Sequence, residues 1–442
     1  MKETYWCEHA FLTSGMQGDV RITVVDGRFS IIERGAPRGI GDHILGGVVL
    51  PGLANTHSHA FQRALRGHTQ VGTGSFWTWR DHMYRAAVRL DPDSYHRLAR
   101  ATFGEMVSGG MTTVGEFHYV HHRPDGLPYA NANAMGEAVL AAADDAGIRI
   151  TMLDTLYLHG GLGPDGYMPV DDSQRRFSDH TASAWIERVD QLQLTGRAKL
   201  GAALHSVRAV DPEAMTQVAD WARSRSCPIH IHLSEQTDEN EQCLAHHRMT
   251  PTEVLLEAGA LSADTTAVHA THLTSGDIAI LGDGKAGVAM CPTTERDLAD
   301  GIGPAATLAA AGVTLSLGSD SHAVIDLFEE ARALELNERL ASGVRGSFSN
   351  EDLVAAASDH GALGWHDAGK IEVGFRADLI AVDMHSLHTA GTPTDTAVMF
   401  SATAADVTDV VVDGARIVEH GHHRSLDVSA ELKSSIEEII SK

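Results

Sequence analysis

The chain has 442 residues, 43% of them apolar, and a net charge of −25 from 34 basic and 59 acidic residues. Such a length exceeds one average domain but suits an α/β barrel with a smaller companion, and the apolar fraction is that of a chain with a sizeable core. The acidic balance argues against general binding of nucleic acid or of an anionic membrane, and no apolar run is long enough to span a bilayer.

The first residues, Met1-Lys2-Glu3-Thr4-Tyr5-Trp6, lack the apolar stretch of a signal peptide. Four cysteines (Cys7, Cys227, Cys243 and Cys291) lie far apart without CxxC spacing and read as reduced thiols of a cytoplasmic protein. Residues 1–48 read as short strands joined by turns, with a hairpin signal at Asp26-Gly27-Arg28 between Val20–Val25 and Phe29–Ile32. Residues 371–442 mirror this with Ala377–Val382, Val407–Val412 and Ala415–Glu419, the last two joined by Asp413-Gly414. Neither end could bury a core alone. The pattern therefore predicts one small β-sandwich domain built from both termini, with residues 49–370 as a separate unit.

That middle unit alternates strand and helix. Strand-like runs fall at 46–50, 111–117, 148–156, 198–204, 228–233, 266–270, 286–291 and 313–318. Helical patterns separate them, among them Asp93–Ser108, Ala134–Ala146, Pro212–Arg223, Pro251–Ala258 and Asp326–Leu340. Several begin at Asp-Pro or Thr-Pro, with proline in the tolerated first turn. Eight βα units in this length predict a (β/α)8 TIM barrel. A doubly wound open sheet is the alternative, but no Gly-x-Gly-x-x-Gly loop follows the first strand.

A TIM barrel carries its catalytic groups at the C-terminal ends of its strands. The run at 46–50 leads into Pro51-Gly52-Leu53-Ala54-Asn55-Thr56-His57-Ser58-His59, where a period of two puts both imidazoles on one face of an extended segment. Later strand ends carry Glu116 to Tyr119, His205 to Arg208, His230 to Glu235, His269 to His272 and Gly318 to His322. His57, His59, His232 and Asp320 make a mixed nitrogen and oxygen set suited to Zn²⁺ or Fe²⁺, with a position left for water. Blander readings compete for each residue alone. A single buried histidine such as His230, His272 or His322 more often satisfies a backbone carbonyl. Asp320 could cap a helix, Glu235 could be a solvated glutamate, Glu116 a wall residue, and Arg80 and Arg208 surface charges. All of these together would be a large coincidence.

These motifs resemble those of the amidohydrolase superfamily, whose barrel bears His-x-His on strand one, His on strands five and six, and Asp on strand eight. The split β-domain and Gly374-Phe375-Arg376-Ala377-Asp378-Leu379 resemble it too. The segments Phe76-Trp77-Thr78-Trp79-Arg80 and Cys291-Pro292-Thr293-Thr294-Glu295-Arg296-Asp297 are similar to those of a deiminase branch. That branch hydrolyses the formimino group of an acidic amino-acid derivative in histidine degradation. The resemblance implies one Zn²⁺ per chain (Fe²⁺ being the other option), because His205 ends strand four where two-metal members carry a carboxylated lysine, and Lys199 lies at the strand's start. Bound Zn²⁺ would bring the pKa of a water from about 15.7 towards about 7. Catalytic roles carry over to Glu235 as proton shuttle, His269 as orienting group and Asp320 as proton acceptor as well as ligand.

The implied substrate is a small dicarboxylate, with no nucleic-acid or membrane partner, and a homodimer is the implied assembly. Arginine suits carboxylates because its planar fork donates two parallel hydrogen bonds. Arg208 with His205 and Arg80 with Tyr119 are expected to hold the two carboxylates, with Gln62 nearer the reacting group. Three other readings stand beside this one: a deaminase of a heterocyclic amine, a hydrolase of N-acyl or N-carbamoyl amino acids, and an inactive barrel used for binding. The arginine pair speaks against the first, and the intact set of metal and acid residues against the third. The stretch Gly72-Thr73-Gly74 is either a gate or a static turn.

Overall fold

The computed structural model describes residues 2–70, 73–194 and 196–441, so Gly72 of the gate candidate lies outside the described residues. Eight parallel strands form the barrel: Leu53–Ser58, Met111–His118, Arg149–Leu156, Ala198–Leu204, Ile229–Leu233, Thr265–His269, Gly287–Met290 and Thr314–Leu317. They neighbour one another in chain order. Strands one, two, three, five and six are buried along their whole length, because helices cover one face and the packed interior the other. Burial rather than composition is what they share: strand five alternates as Ile229-His230-Ile231-His232-Leu233, and strand one reads Leu53-Ala54-Asn55-Thr56-His57-Ser58.

Strand one meets strand eight through the functional residues themselves. The Asp320 amide donates to the His57 carbonyl at 3.0 Å, and the His59 amide to the Asp320 carbonyl at 3.2 Å. Gly318 makes this approach possible, since a Cβ there would lie 2.7 Å from the His57 Cβ. Asp320 therefore caps no helix; the helix that follows, Leu327–Ser342, is capped by Asp326.

The termini supply a second sheet of eight strands, in the order His422–His423, Ala415–Glu419, Val407–Val412, Leu379–Val382, His43–Pro51, Lys2–Leu12, Gly15–Val25 and Arg28–Glu33. Both Asp-Gly hairpins form as the turn chemistry predicts. The sheet curls so that Phe29 donates its amide to the Phe375 carbonyl at 2.9 Å, enclosing Tyr5, Cys7, Ile22, Phe29, Leu379 and Val411.

One expectation is corrected here. The run at 46–50 is a strand, but it belongs to the terminal sheet, between Lys2–Leu12 and Leu379–Val382. The first barrel strand is Leu53–Ser58, which contains His57 itself. A continuous apolar run shows that both faces are covered without showing by which sheet. The chain changes sheets at Gly52, where a Cβ would stand 2.3 Å from Thr112 Oγ1.

The two units share buried charge. Arg149, at the start of strand three, pairs with Asp378 and with Asp413 Oδ1 at 2.9 Å, both from the terminal sheet. The last helix, Val428–Ser441, leaves that sheet to pack on Pro92–Ser108, joined by Arg100–Glu431 at 2.9 Å and Arg97–Glu438 at 2.8 Å. Among the described residues no helix is long and apolar enough to cross a membrane.

Candidate active site

Four side chains, from strands one, five, six and eight of the barrel, converge at the C-terminal ends of those strands. His57, His232, His269 and Asp320 each offer a ligand atom within 4.8 Å of the others, and all four are buried. Asp320 Oδ1 lies 3.2 Å from His57 Nε2 and 3.3 Å from His59 Nε2, so the second imidazole of the His-x-His pair joins the same carboxylate. Backbone carbonyls orient two of the rings. His59 Nδ1 donates to Phe117 at 2.9 Å and His232 Nδ1 to the His205 carbonyl at 2.9 Å, which turns both Nε2 lone pairs inward.

This donor set fits a divalent cation. His232 Nε2 carries no proton, because Nδ1 is the donor, yet it faces His57 Nε2 at 3.1 Å. Burial pushes the His57 imidazole down to about 3 and the His232 imidazole well below the ordinary range, so both are neutral bases. Burial opposes ionisation of Asp320 too, but its contacts with His57 and His59 hold that carboxyl well below the usual range. Lone pairs and a carboxylate thus meet with too few protons between them, a deficit that a cation with nitrogen and oxygen ligands makes good.

Glu235 and His269 stand beside the cluster, with Glu235 Oε1 3.8 Å from His269 Nε2. Burial raises the Glu235 carboxyl. His269 behaves oppositely: burial works against its charge, but Glu235, Glu295 and Asp320 together raise it to about 10. Glu295, from the Cys-Pro-Thr-Thr-Glu-Arg-Asp segment, lies 3.6 Å from His269 Nδ1 and also accepts the Cys291 amide at 3.0 Å. Ser234, His269, Asp320 and His322 all hold left-handed backbone, a strain of the kind that collects at functional sites.

Glu116 anchors the His-x-His turn, accepting Ser58 Oγ at 2.6 Å and the Ala60 amide at 2.7 Å, while burial lifts its carboxyl to about 7. His322 holds Ser58 and Ser319, and His230 donates to the Ala362 carbonyl at 2.9 Å, so both serve the scaffold.

A polar wall extends from the cluster. Gln62 Nε2 donates to Tyr119 Oη at 2.9 Å, and Gln62 Oε1 is buried without a partner among the described residues. His205 packs between Tyr157 (ring centroids 4.5 Å) and His232 (5.2 Å), and both Arg80 and Arg208 act on it, opposing its charged form after burial has done so. Arg208 donates Nε to Glu239 at 2.7 Å, which leaves its Nη nitrogens for an outside acceptor. Arg80 stacks on Trp77 at 4.5 Å and beside Tyr84 at 5.5 Å, with a buried Nε that has no hydrogen-bond partner among the described residues. Tyr84, Tyr157, Gln174 and Glu239 were not singled out from the sequence. Gln174 joins the two tyrosines, donating to Tyr157 Oη at 3.0 Å and Tyr84 Oη at 3.2 Å, and only the fold brings them together.

A second buried cluster, His118, His121 and Asp154, lies behind the barrel wall. Its carboxylate is committed to Trp185 Nε1 at 2.8 Å and to Arg188 Nη2 at 2.7 Å, and Arg188 also holds Asp179. A buried guanidinium on the only carboxylate of the cluster marks it as a structural ion network.

The family model "Amidohydrolase family" matches residues 48–417. The chain is similar to a formimidoylglutamate deiminase of Pseudomonas aeruginosa, 36% identical and covering 96% of each chain. It is also similar to a 5-methylthioadenosine/S-adenosylhomocysteine deaminase of Natronomonas pharaonis, 30% identical over 87% of this chain and 84% of that one. Among solved structures, an amidohydrolase from Brucella melitensis superposes with a TM-score of 0.87, 31% identical over 99% of this chain and 100% of the other.

Proposed function

The chain belongs to the amidohydrolase family, and from that premise we propose that it hydrolyses N-formimino-L-glutamate to N-formyl-L-glutamate and ammonia. One observation carries the choice of substrate: Arg80, whose Nε is buried without a hydrogen-bond partner among the described residues, stands beside Tyr84, which Gln174 links to Tyr157 on the His205 ring, so that with Arg208 two cations line one wall for two carboxylates. Similarity to the Pseudomonas deiminase over nearly the whole chain supports the same reading.

His57, His59, His232 and Asp320 would hold Zn²⁺, which would supply Lewis acidity towards water near neutral pH. Lys199 supports a single ion, since its ammonium bonds the Gly364 carbonyl and sits 4.4 Å from the Trp365 ring, at the start of its strand and away from the cluster. Arg208 and His205 hold one carboxylate of the substrate, and Arg80 with Tyr119 the other. These contacts place the formimino carbon beside Glu235. Glu235, raised by burial, takes a proton from the attacking water at Oε1 and returns it to the imino nitrogen. Asp320 Oδ2, 3.9 Å from His269 Nε2, is the second proton acceptor, and His269 orients the attacking water and stabilises the tetrahedral intermediate.

A second reading is deamination of a heterocyclic amine, which similarity to the Natronomonas deaminase favours. Ammonia release from N-formimino-L-glutamate and from 5′-methylthioadenosine by zinc-loaded protein decides between them. Release from the first, weakened in Arg80→Ala and Arg208→Ala, is expected. Release from the second alone overturns the proposal.

A further inference from the structure

The loop after strand seven carries an acid that the reaction described above does not use. In Ala299-Asp300-Gly301-Ile302, Asp300 is buried while its three neighbours are exposed, and Ala299 adopts left-handed backbone (φ 61°) to turn it inward. The Asp300 amide donates to the Glu295 carbonyl at 2.9 Å, and Glu295 is the residue beside His269. Gln236, next to Glu235, donates to Asp300 Oδ1. Oδ2 is buried and has no partner among the described residues. Gly301 closes the loop over strand six, where a Cβ would lie 3.5 Å from the His272 ring and from the Thr271 methyl. Burial and the Glu235 carboxylate raise Asp300 to about 9 against the opposing pull of His269, so a further cation arriving beside Oδ2 would favour its ionised form.

Arg208 donates to Glu239 and bears on Glu235, without a hydrogen bond to Asp300 among the described residues. A formimino group is a planar amidinium at neutral pH, with N–H donors and a positive charge, and a carboxylate is its strongest hydrogen-bond partner. Resting on the reading of the substrate given above, we infer that Asp300 binds the cationic end of that substrate, Oδ2 accepting a hydrogen bond from the nitrogen that leaves as ammonia. The formyl product puts a carbonyl oxygen where that nitrogen was and gives Asp300 no donor. Asp300 thereby selects an amidinium over a neutral amide and favours release of the product.

Steady-state kinetics of zinc-loaded Asp300→Asn test this, with N-formyl-L-glutamate as a competitive probe of the carboxylate pocket. The substitution keeps an oxygen for Gln236 and removes the charge. The expected result is a KM for N-formimino-L-glutamate raised at least tenfold, with Ki for N-formyl-L-glutamate unchanged or lower. Equal weakening of substrate and probe, or an unchanged KM, overturns the role of Asp300 while leaving the proposed reaction standing. A parent protein that releases no ammonia removes both. Should D300N be recovered unfolded, Asp300→Ser reads the same split.

Discussion

Replacing Arg208 tests the site and the fold at once, because its guanidinium has two distinct obligations. Nε donates to Glu239 Oε2 at 2.7 Å, and Glu239 is fully buried, its other oxygen taken by the Ser234 amide at 2.8 Å. Arg208→Ala leaves that carboxylate in the interior without its cation, and breaking a buried pair from one side costs about 3–5 kcal/mol. The same change removes a charge-assisted contact to a substrate carboxylate, about 1.5–3 kcal/mol, or about 10- to 150-fold in kcat/KM. A second substitution separates the two. In Arg208→Ala/Glu239→Gln no charge is stranded, so stability, read as the midpoint of urea denaturation, should recover most of what Arg208→Ala lost. kcat/KM for N-formimino-L-glutamate should not recover, since the substrate still lacks its cation. Recovery of kcat/KM along with stability would refute the reasoning, for Arg208 would then only be holding Glu239.

Glu235→Gln should retain its metal yet lose about 10²- to 10⁴-fold in kcat, the usual worth of a general acid–base; near-normal turnover in a metal-replete variant removes the shuttle role. The same metal analysis should give one ion per chain, and a value near two sinks the single-ion reading. Arg188→Met strands Asp154 and Asp179, both buried, and should lower stability by about 3–5 kcal/mol with kcat within twofold of the parent. A urea midpoint equal to the parent's would show that this ion network contributes nothing.

Most of the barrel was legible because short strand-like segments recur between helical patterns along the chain, and seven of the eight stand at their expected places, Ala198–Leu204 to the residue. The missing one shows where periodicity stops. Gly46 to Leu50 and Leu53 to Ser58 are both buried strands, and nothing in their composition tells which sheet each joins. Local chemistry also marked the hairpins at Asp26-Gly27 and Asp413-Gly414, since left-handed turn positions select those residues.

At the site, position at strand ends marked His57, His59, His232 and Asp320 as candidates, because a barrel delivers strand ends to one place whatever fills the helices between, while the roles of Glu235 and His269 came from the resemblance to the superfamily. Their mutual distances, the hydrogen bonds that turn His59 and His232 inward, and the seam at His57 and Asp320 come only from closure of the sheet. The same holds for Glu239, which sits 31 residues after Arg208 in the chain and 2.7 Å from it in space. Residue type and spacing determine which groups a chain can offer. Which buried carboxylate has both oxygens bonded, and which, like Asp300, keeps one without a hydrogen-bond partner among the described residues, is decided by contacts between segments far apart in sequence.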